Sequence, residues 1–368
     1  MQTKEILKKL IQIDSQCTKS NLKIVQFIAS LFPSENVEIF SLRKGNLNLY
    51  NLVIKFNGQN KTKSPIIFSG HTDTVPVSNN WAVNPFEAIE QKNKIIGLGS
   101  SDMKAGLACM IKTALSIKEN PNQDVYFMFD ADEEDGCAGG KDFIKKYDFK
   151  NAQVVICEPT DNKLEIGQKG GLEIKATYFG KALHSSRTSF SLNSQFNAIH
   201  KAFQAFKKLE KVEKKLSQVK DDLFTSPTQS ICLITGGTAG NVIPDQCSFI
   251  INRRLLPSEN FNQETQKIIK LLQSVDSKVE TTINFIGKSN LLSTKSPLFI
   301  KAQKISKTIF KSAETSVTSG WTQAGRFNKW GDCLIIGPGN LEQGHKADEF
   351  CETKNLDKMV QFYRSLID

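Results

Sequence analysis

The stretch Ser64-Pro65-Ile66-Ile67-Phe68-Ser69-Gly70-His71-Thr72-Asp73-Thr74-Val75-Pro76 decides how this chain is read. Ser64 to Ser69 is a short apolar run, the pattern of a buried strand, and it runs directly into His71 with Asp73 two residues on. The same arrangement recurs outward from it. Asp124 to Phe129 is a second apolar run, ahead of the acidic cluster Asp130-Ala131-Asp132-Glu133-Glu134-Asp135, and Gln153 to Cys157 is a third, ahead of Glu158-Pro159. Between them, Gly97-Leu98-Gly99-Ser100-Ser101-Asp102 is a Gly/Ser turn that leads into Met103 to Ile117, whose Ala, Leu and Met content reads as a buried helix. Strands alternating with helices, with acidic residues and a histidine just past the strand ends, describe an α/β domain with a ligand site at the carboxyl edge of its sheet.

At 368 residues the chain exceeds what one hydrophobic core ordinarily serves, so two domains are expected. A content of 39% hydrophobic and 23% charged residues is that of a globular protein and excludes disorder. The first ten residues, Met1 to Leu10, alternate charge with Leu and Ile at helical spacing and lack the apolar core of a signal peptide. No apolar stretch approaches the ~20 residues that a bilayer requires. A cytoplasmic protein with no membrane partner is expected.

The formal net charge of +10 does not imply a nucleic-acid partner. Lysines are spread along the chain and mixed with Glu, as in Lys207 to Lys215, which reads as a solvated helix face. The excess would help draw small anions toward the protein. The eight cysteines stand singly with no C-x-x-C pair and read as reduced, structural thiols, with Cys137 and Cys157 nearest the acidic clusters.

From Gly167 the pattern changes. Leu172 to Phe179 alternates like a half-exposed strand, Asn193 to Val219 is an amphipathic helix, and Ser230 to Thr235 and Cys247 to Leu255 are strands. Phe261 to Val275 is a second helix and Val279 to Ile286 a last strand. This β-α-β-β-α-β order is the ferredoxin-like split motif and predicts an inserted domain over 168–287. The α/β pattern then resumes with helix Ser296 to Ser312, strand Cys333 to Ile336 and helix Asn355 to Ile367. The first domain is therefore expected to be discontinuous, 1–167 with 288–368.

Two divalent ions held ~3.5–4 Å apart need several ligands and a carboxylate shared between them. His71, Asp102, the Glu133-Glu134 pair, Glu158 and His345, in Gly344-His345-Lys346-Ala347-Asp348-Glu349, supply such a set, and Asp73 could accept the second ring N–H of His71. Of the adjacent glutamates, one as a ligand would leave the other over the open face as a base. Each residue alone has a plainer reading: His71 as a loop histidine, Asp102 as a helix N-cap, the acidic run as a solvated loop. His184 alone could merely end a strand, and His200 in its Ala/Phe helix reads as structural.

In combination these motifs resemble the dinuclear-zinc amidohydrolases and exopeptidases that include acetylornithine deacetylase, succinyl-diaminopimelate desuccinylase, aminoacylase and glutamate carboxypeptidase. The resemblance runs the whole length, through Gly70 to Pro76, Gly99-Ser100-Ser101-Asp102-Met103-Lys104-Ala105-Gly106, Asp132-Glu133-Glu134-Asp135-Gly136, Cys157-Glu158-Pro159-Thr160, His184-Ser185-Ser186 and Gly337-Pro338-Gly339. It implies a zinc-exopeptidase-like catalytic domain, a mixed central sheet flanked by helices, with an inserted ferredoxin-like dimerisation domain. It implies two Zn2+ per chain, with Co2+ as a substitute: His71 and Glu158 on one, Glu134 and His345 on the other, Asp102 between them. Glu133 would be the general base and Asp73 the orienting partner of His71. His184 would reach the neighbouring site of a homodimer to donate to the oxyanion, and Asn241 and Arg254 would contact substrate, though a one-residue slip would put Arg253 in place of Arg254.

The implied reaction is hydrolysis of the amide of an N-acyl amino acid. An amide is a poor electrophile and neutral water a poor nucleophile, and zinc brings the pKa of a coordinated water to about 7. Cys157-Glu158-Pro159-Thr160 and the His345 segment are most similar to acetylornithine deacetylases, whereas Ser319 to Phe327 is similar to the desuccinylases, and Gln323 stands where relatives commonly have an acid. Desuccinylation and dipeptide or carboxypeptide cleavage are the alternatives within the class. A non-catalytic binding protein on the same fold is the alternative outside it, against which the complete ligand set and Glu133 speak.

Overall fold

The apolar runs form strands because each is buried on both sides. In the computed structural model, which describes residues 1–368, Val125–Asp130, Ile66–His71, Ala152–Ile156 and Gly331–Ile335 lie side by side in that order, all parallel. Successive side chains alternate between two cores. Ile66, Phe68, Phe127, Val155 and Leu334 point into one, with residues from the helices Thr3–Ile11, Lys104–Ala114, Pro297–Ile309 and Leu356–Ile367. Ile67, Tyr126, Met128, Val154, Cys333 and Ile335 point into the other, with Phe143 of helix Ala138–Lys146 and Phe327 of helix Ala324–Phe327. A parallel sheet covered on both faces is what unbroken apolar runs encode.

Further strands extend this sheet, the nearest on each side antiparallel to it. The hairpin of Val37–Lys44 and Leu47–Phe56 adds to one side, and Leu164–Gln168 and Asn290–Leu291 to the other, with Thr315–Thr318 also pairing Leu164–Gln168. A mixed central sheet with flanking helices is thus observed, as expected. Val37–Lys44 was not expected: it lies at the sheet edge and its residues are exposed or half-buried, so no apolar run marks it.

The chain divides into one compact unit of 1–167, 290–317 and 322–368 and a second of 168–289 with 318–321. The short segment Thr318–Trp321 thus joins the second unit, because Trp321 packs its ring on Phe285 and donates its Nε1–H to the Lys288 carbonyl at 3.0 Å.

The second unit is a four-stranded antiparallel sheet in the order Thr228–Gly236, Gln246–Leu255, Gly170–Phe179, Glu280–Gly287. Its first and third strands in sequence are neighbours in the middle, the arrangement of the split β-α-β motif. Helices Ala198–Leu216 and Phe261–Gln273 cover one face, where Leu172, Ile174, Ala176, Phe249 and Ile251 meet Ala202, Ala205, Ile268 and Leu272. The single helix expected over 193–219 is two, Phe190–Phe196 and Ala198–Leu216. Asn197 divides them: its extended backbone ends the first, and its side chain accepts the His200 N–H at the start of the second.

Candidate metal centre

Five segments of the first unit deliver the candidate ligands to one place. His71 ends its strand, Glu134 and Glu158 lie in the loops that follow the two neighbouring strands, Asp102 sits just before helix Lys104–Ala114, and His345 lies in the loop after Gly331–Ile335. This is the carboxyl edge of a parallel sheet, where the strand ends leave room for a ligand.

Asp102 stands between the two histidines. Its Oδ1 is 3.3 Å from His71 Nε2, and its Oδ2 is 3.6 Å from His345 Nε2. Glu158 Oε1 lies 3.7 Å from the same His71 nitrogen, and Glu134 Oε2 lies 3.0 Å from the same His345 nitrogen. One ring nitrogen, one flanking glutamate and one oxygen of a shared aspartate thus recur twice. Ligand atoms of His71, Asp102 and Glu134 all fall within 4.8 Å of one another.

Electrostatics favours cations here. Asp73, Asp102, Glu133, Glu134 and Glu158 converge against two imidazoles, so even two imidazolium ions would leave a negative excess. Burial, followed by the charges of neighbouring carboxylates, pushes Glu158 and Glu133 well above the carboxylate range, with His71 opposing. Burial alone would lower His71, but Glu158 and Asp102 together raise it well above its usual value. The hydrogen bond that His345 donates to the Glu134 carboxylate carries His345 up to about 9. Asp102, raised by burial, is brought net low by its contact with His71. Histidines pulled up and carboxylates pushed up describe donors arranged for more positive charge than the protein itself supplies, and the residues fit a pair of divalent cations.

Asp73 does something other than expected. The His71 Nδ1–H donates to the Asp73 backbone carbonyl at 2.9 Å, whereas the Asp73 carboxylate is 3.9 Å away. That carboxylate instead accepts the backbone N–H groups of Glu133 at 3.2 Å and Glu134 at 3.1 Å. Asp73 therefore fixes the ring through its main chain and the acidic loop through its side chain. Glu133 is half-buried beside the candidate ligands.

Glu349 was not singled out by sequence reasoning. It is almost wholly buried, and its carboxylate accepts the N–H groups of Gly99 and Ser101 at 2.7 Å and of Asp102 at 2.8 Å, tying the His345 loop to the Asp102 turn. Gln323 is buried too. Its Nε2 donates to Asp130 Oδ2 at 2.7 Å and its Oε1 accepts from Arg326 at 3.1 Å, so it braces the fold rather than facing a ligand.

The remaining candidates lie in the second unit. His184 is exposed, with Nδ1 2.7 Å from the Ser186 hydroxyl, and the Asn241 carbonyl accepts the Ser185 N–H, so His184 and Asn241 are neighbours on the short ladder of Leu183–His184 with Val242–Ile243. Register puts the two adjacent arginines on opposite faces of their strand. Arg253 points into the buried face, ion-paired to Glu259 and 3.5 Å from Glu264. Arg254 points to the other face, half-buried and without an ion-pair partner among the salt bridges of the chain, and burial lowers its pKa. All eight cysteines are free, and Cys232 alone is exposed.

The model of peptidase family M20/M25/M40 matches residues 67–368. An acetylornithine deacetylase of Buchnera aphidicola is 30% identical over 96% of this chain and 93% of its own. A succinyl-diaminopimelate desuccinylase of Coxiella burnetii is 29% identical over 81% and 82%. Among solved structures, a tripeptidase of Staphylococcus aureus superposes with a TM-score of 0.78 at 21% identity, covering 99% of this chain and 96% of that one.

Proposed function

Since the chain belongs to peptidase family M20/M25/M40 and is a metal-dependent amide hydrolase of that family, we propose that it removes the acyl group from an N-acyl amino acid, with N-acetylornithine as substrate. The observation that carries this reading is Asp102, one oxygen toward each histidine, flanked by Glu134 and Glu158. His71 and Glu158 would hold one cation and His345 and Glu134 the other, with Asp102 shared. Two zinc ions, or cobalt in their place, would supply Lewis acidity to the amide carbonyl and acidify water.

The protein's own residues do the rest. Glu133, fixed through its N–H by Asp73, takes the proton from the attacking water and returns it to the leaving amine. Arg254 receives the substrate carboxylate, and Asn241 and His184 donate to oxygen atoms at the reacting amide.

His184 would act on the partner's site of a homodimer. Support for such a dimer comes from the edge strand Thr228–Gly236, which leaves one side of its ladder unpaired and exposes Leu233 (57%) and Ile234 (51%). A long apolar edge of this kind calls for a partner strand. No helix is long and apolar enough to cross a membrane, and a cytoplasmic site of action is part of the proposal.

The test is turnover of N-acetylornithine, N-succinyl-diaminopimelate and simple dipeptides by zinc- and cobalt-loaded protein, with bound metal measured in parallel. Hydrolysis of N-acetylornithine with about two ions per chain is expected. Faster hydrolysis of the succinyl substrate or of dipeptides would move the substrate assignment, and absence of any turnover by fully loaded protein would remove the reading.

A further inference from the structure

The loop that carries Glu133 and Glu134 is bent against its own preferences. Asp132, at φ 65°, opens it and Cys137, at φ 53°, closes it, both non-glycine residues in the left-handed region. On one side Asp73 takes the N–H groups of both glutamates. The other anchor is Lys44, the last residue of the edge strand Val37–Lys44, whose tip reaches the loop. Lys44 Nζ bonds Asp132 Oδ1 and also bonds Asp135 Oδ2 at 2.5 Å.

One ammonium therefore grips the residue before the two glutamates and the residue after them. Asp132 is the more demanding partner, because its side chain is wholly buried and its second oxygen accepts the N–H of Ala138 at 3.1 Å, at the start of helix Ala138–Lys146. A buried carboxylate cannot turn to water when its cation is removed, so this contact is unlike an exposed ion pair. The approach is close: a Cβ on Gly136 would stand 2.7 Å from Asp132 Oδ2 and 3.3 Å from Lys44 Nζ. Gly136 leaves that space open.

We propose that Lys44 is a positioning residue for hydrolysis, acting through Asp132 and Asp135 to hold the Glu133 carboxyl at the distance from which it serves as base. This rests on the reading of Glu133 as that base. Lys44 bonds none of the five candidate metal ligands. Its removal should slow the chemical step and leave substrate binding in place; Glu134 shares the loop, but His71, Asp102, Glu158 and His345 are held by other elements, so the cations should still bind at saturating metal.

The test compares Lys44→Met, Lys44→Arg, Asp132→Asn and the Lys44→Met/Asp132→Asn double variant in the full-length, metal-loaded protein. A displaced catalytic group costs up to roughly a hundredfold, so Lys44→Met is expected to lower kcat about 10- to 100-fold with KM within about twofold and metal content unchanged. Lys44→Arg should recover most of the loss, and the double variant should be no slower than Asp132→Asn alone, since the two act as one unit. Should Lys44→Met not fold, Lys44→Gln reads the same quantities. A kcat within about twofold of the parent, a KM that rises in step with the loss, or an arginine variant as slow as the methionine one overturns the proposal. Glu133→Gln, run alongside, separates the two readings. If it turns over normally the base assignment fails and this proposal with it; if it is inactive while Lys44→Met is fast, only the role of Lys44 fails.

Discussion

Arg253 and Arg254 are adjacent in sequence and should fail in opposite ways. In the strand Gln246–Leu255 they face opposite sides of the sheet. Arg253 is 1% exposed; its guanidinium bonds Glu259, lies 3.5 Å from Glu264 and donates to the Thr228 and Arg254 carbonyls. Arg253→Met leaves Glu259, itself mostly buried, with only the Leu256 N–H at 2.7 Å. Removing one partner of a buried pair costs about 3–5 kcal/mol, and the retained N–H brings the expectation to about 2–4 kcal/mol. Arg254→Met strands no carboxylate and relieves a desolvated cation, so its effect on stability should stay within about 1 kcal/mol. On its proposed role, Arg254→Met would remove a charged hydrogen bond to the substrate carboxylate, worth about 1.5–3 kcal/mol, or roughly 10- to 100-fold in kcat/KM. The assay pairs denaturant unfolding with kcat/KM on the same preparations. Loss of stability in the Arg254 variant with normal turnover, or loss of turnover in a fully stable Arg253 variant, would refute the assignment of faces to roles.

Glu133→Gln should keep both cations and lose about 10²–10⁴ in kcat, the share of a positioned base; metal analysis beside steady-state rates checks it. Glu349→Gln must set an NH2 against one of the three N–H groups its carboxylate now receives, so chelator competition should show cation affinity down about 10- to 100-fold. Glu165 lies away from the centre, and burial raises its carboxyl from 4.5 to about 7. The folded chain then keeps a proton that the unfolded chain releases, so stability falls as pH rises across that interval, by up to about 3 kcal/mol. Glu165→Gln should equal the parent below about pH 4.5 and exceed it above about pH 7 in denaturant midpoints; parallel pH profiles would show that Glu165 is not the cause.

The elements legible in the sequence are those whose burial is complete. Ile66–His71 and Val125–Asp130 have every residue buried, so an unbroken apolar run was enough to find them and to place His71 and the acidic loop beyond their ends. Val37–Lys44, exposed along much of its length, offered no such run, and with it the contact of Lys44 was hidden. The candidate metal ligands were legible because imidazoles and carboxylates after strand ends have few other uses in that combination. Glu349 was not, because its partners are main-chain N–H groups about 250 residues away, and nothing in a local sequence pattern encodes them. The division of the 193–219 helix turned on one side chain, Asn197, which suits a helix start far better than a helix middle.

Asp73 shows why the centre does not separate into ligands and supports. Its carbonyl sets the ring of His71, which faces Asp102 and Glu158, and its carboxylate holds the N–H groups of Glu133 and Glu134, one the proposed base and the other beside His345. A carboxylate placed on His71 Nδ1, as expected from the sequence, would have drawn that ring toward the imidazolium form and left the acidic loop with two unmet N–H groups. The neutral carbonyl takes the ring hydrogen bond and orients it, while the carboxylate, 3.9 Å from Nδ1, acts on the ring only through its charge. The hydrogen bonds of that carboxylate are made where positive N–H dipoles converge, on a loop whose two glutamates already repel one another. One residue therefore settles both the tautomer of a ligand and the conformation of the base loop, so substitution at Asp73 perturbs metal binding and proton transfer together, whereas Glu133 and Glu349 each reach only one of them.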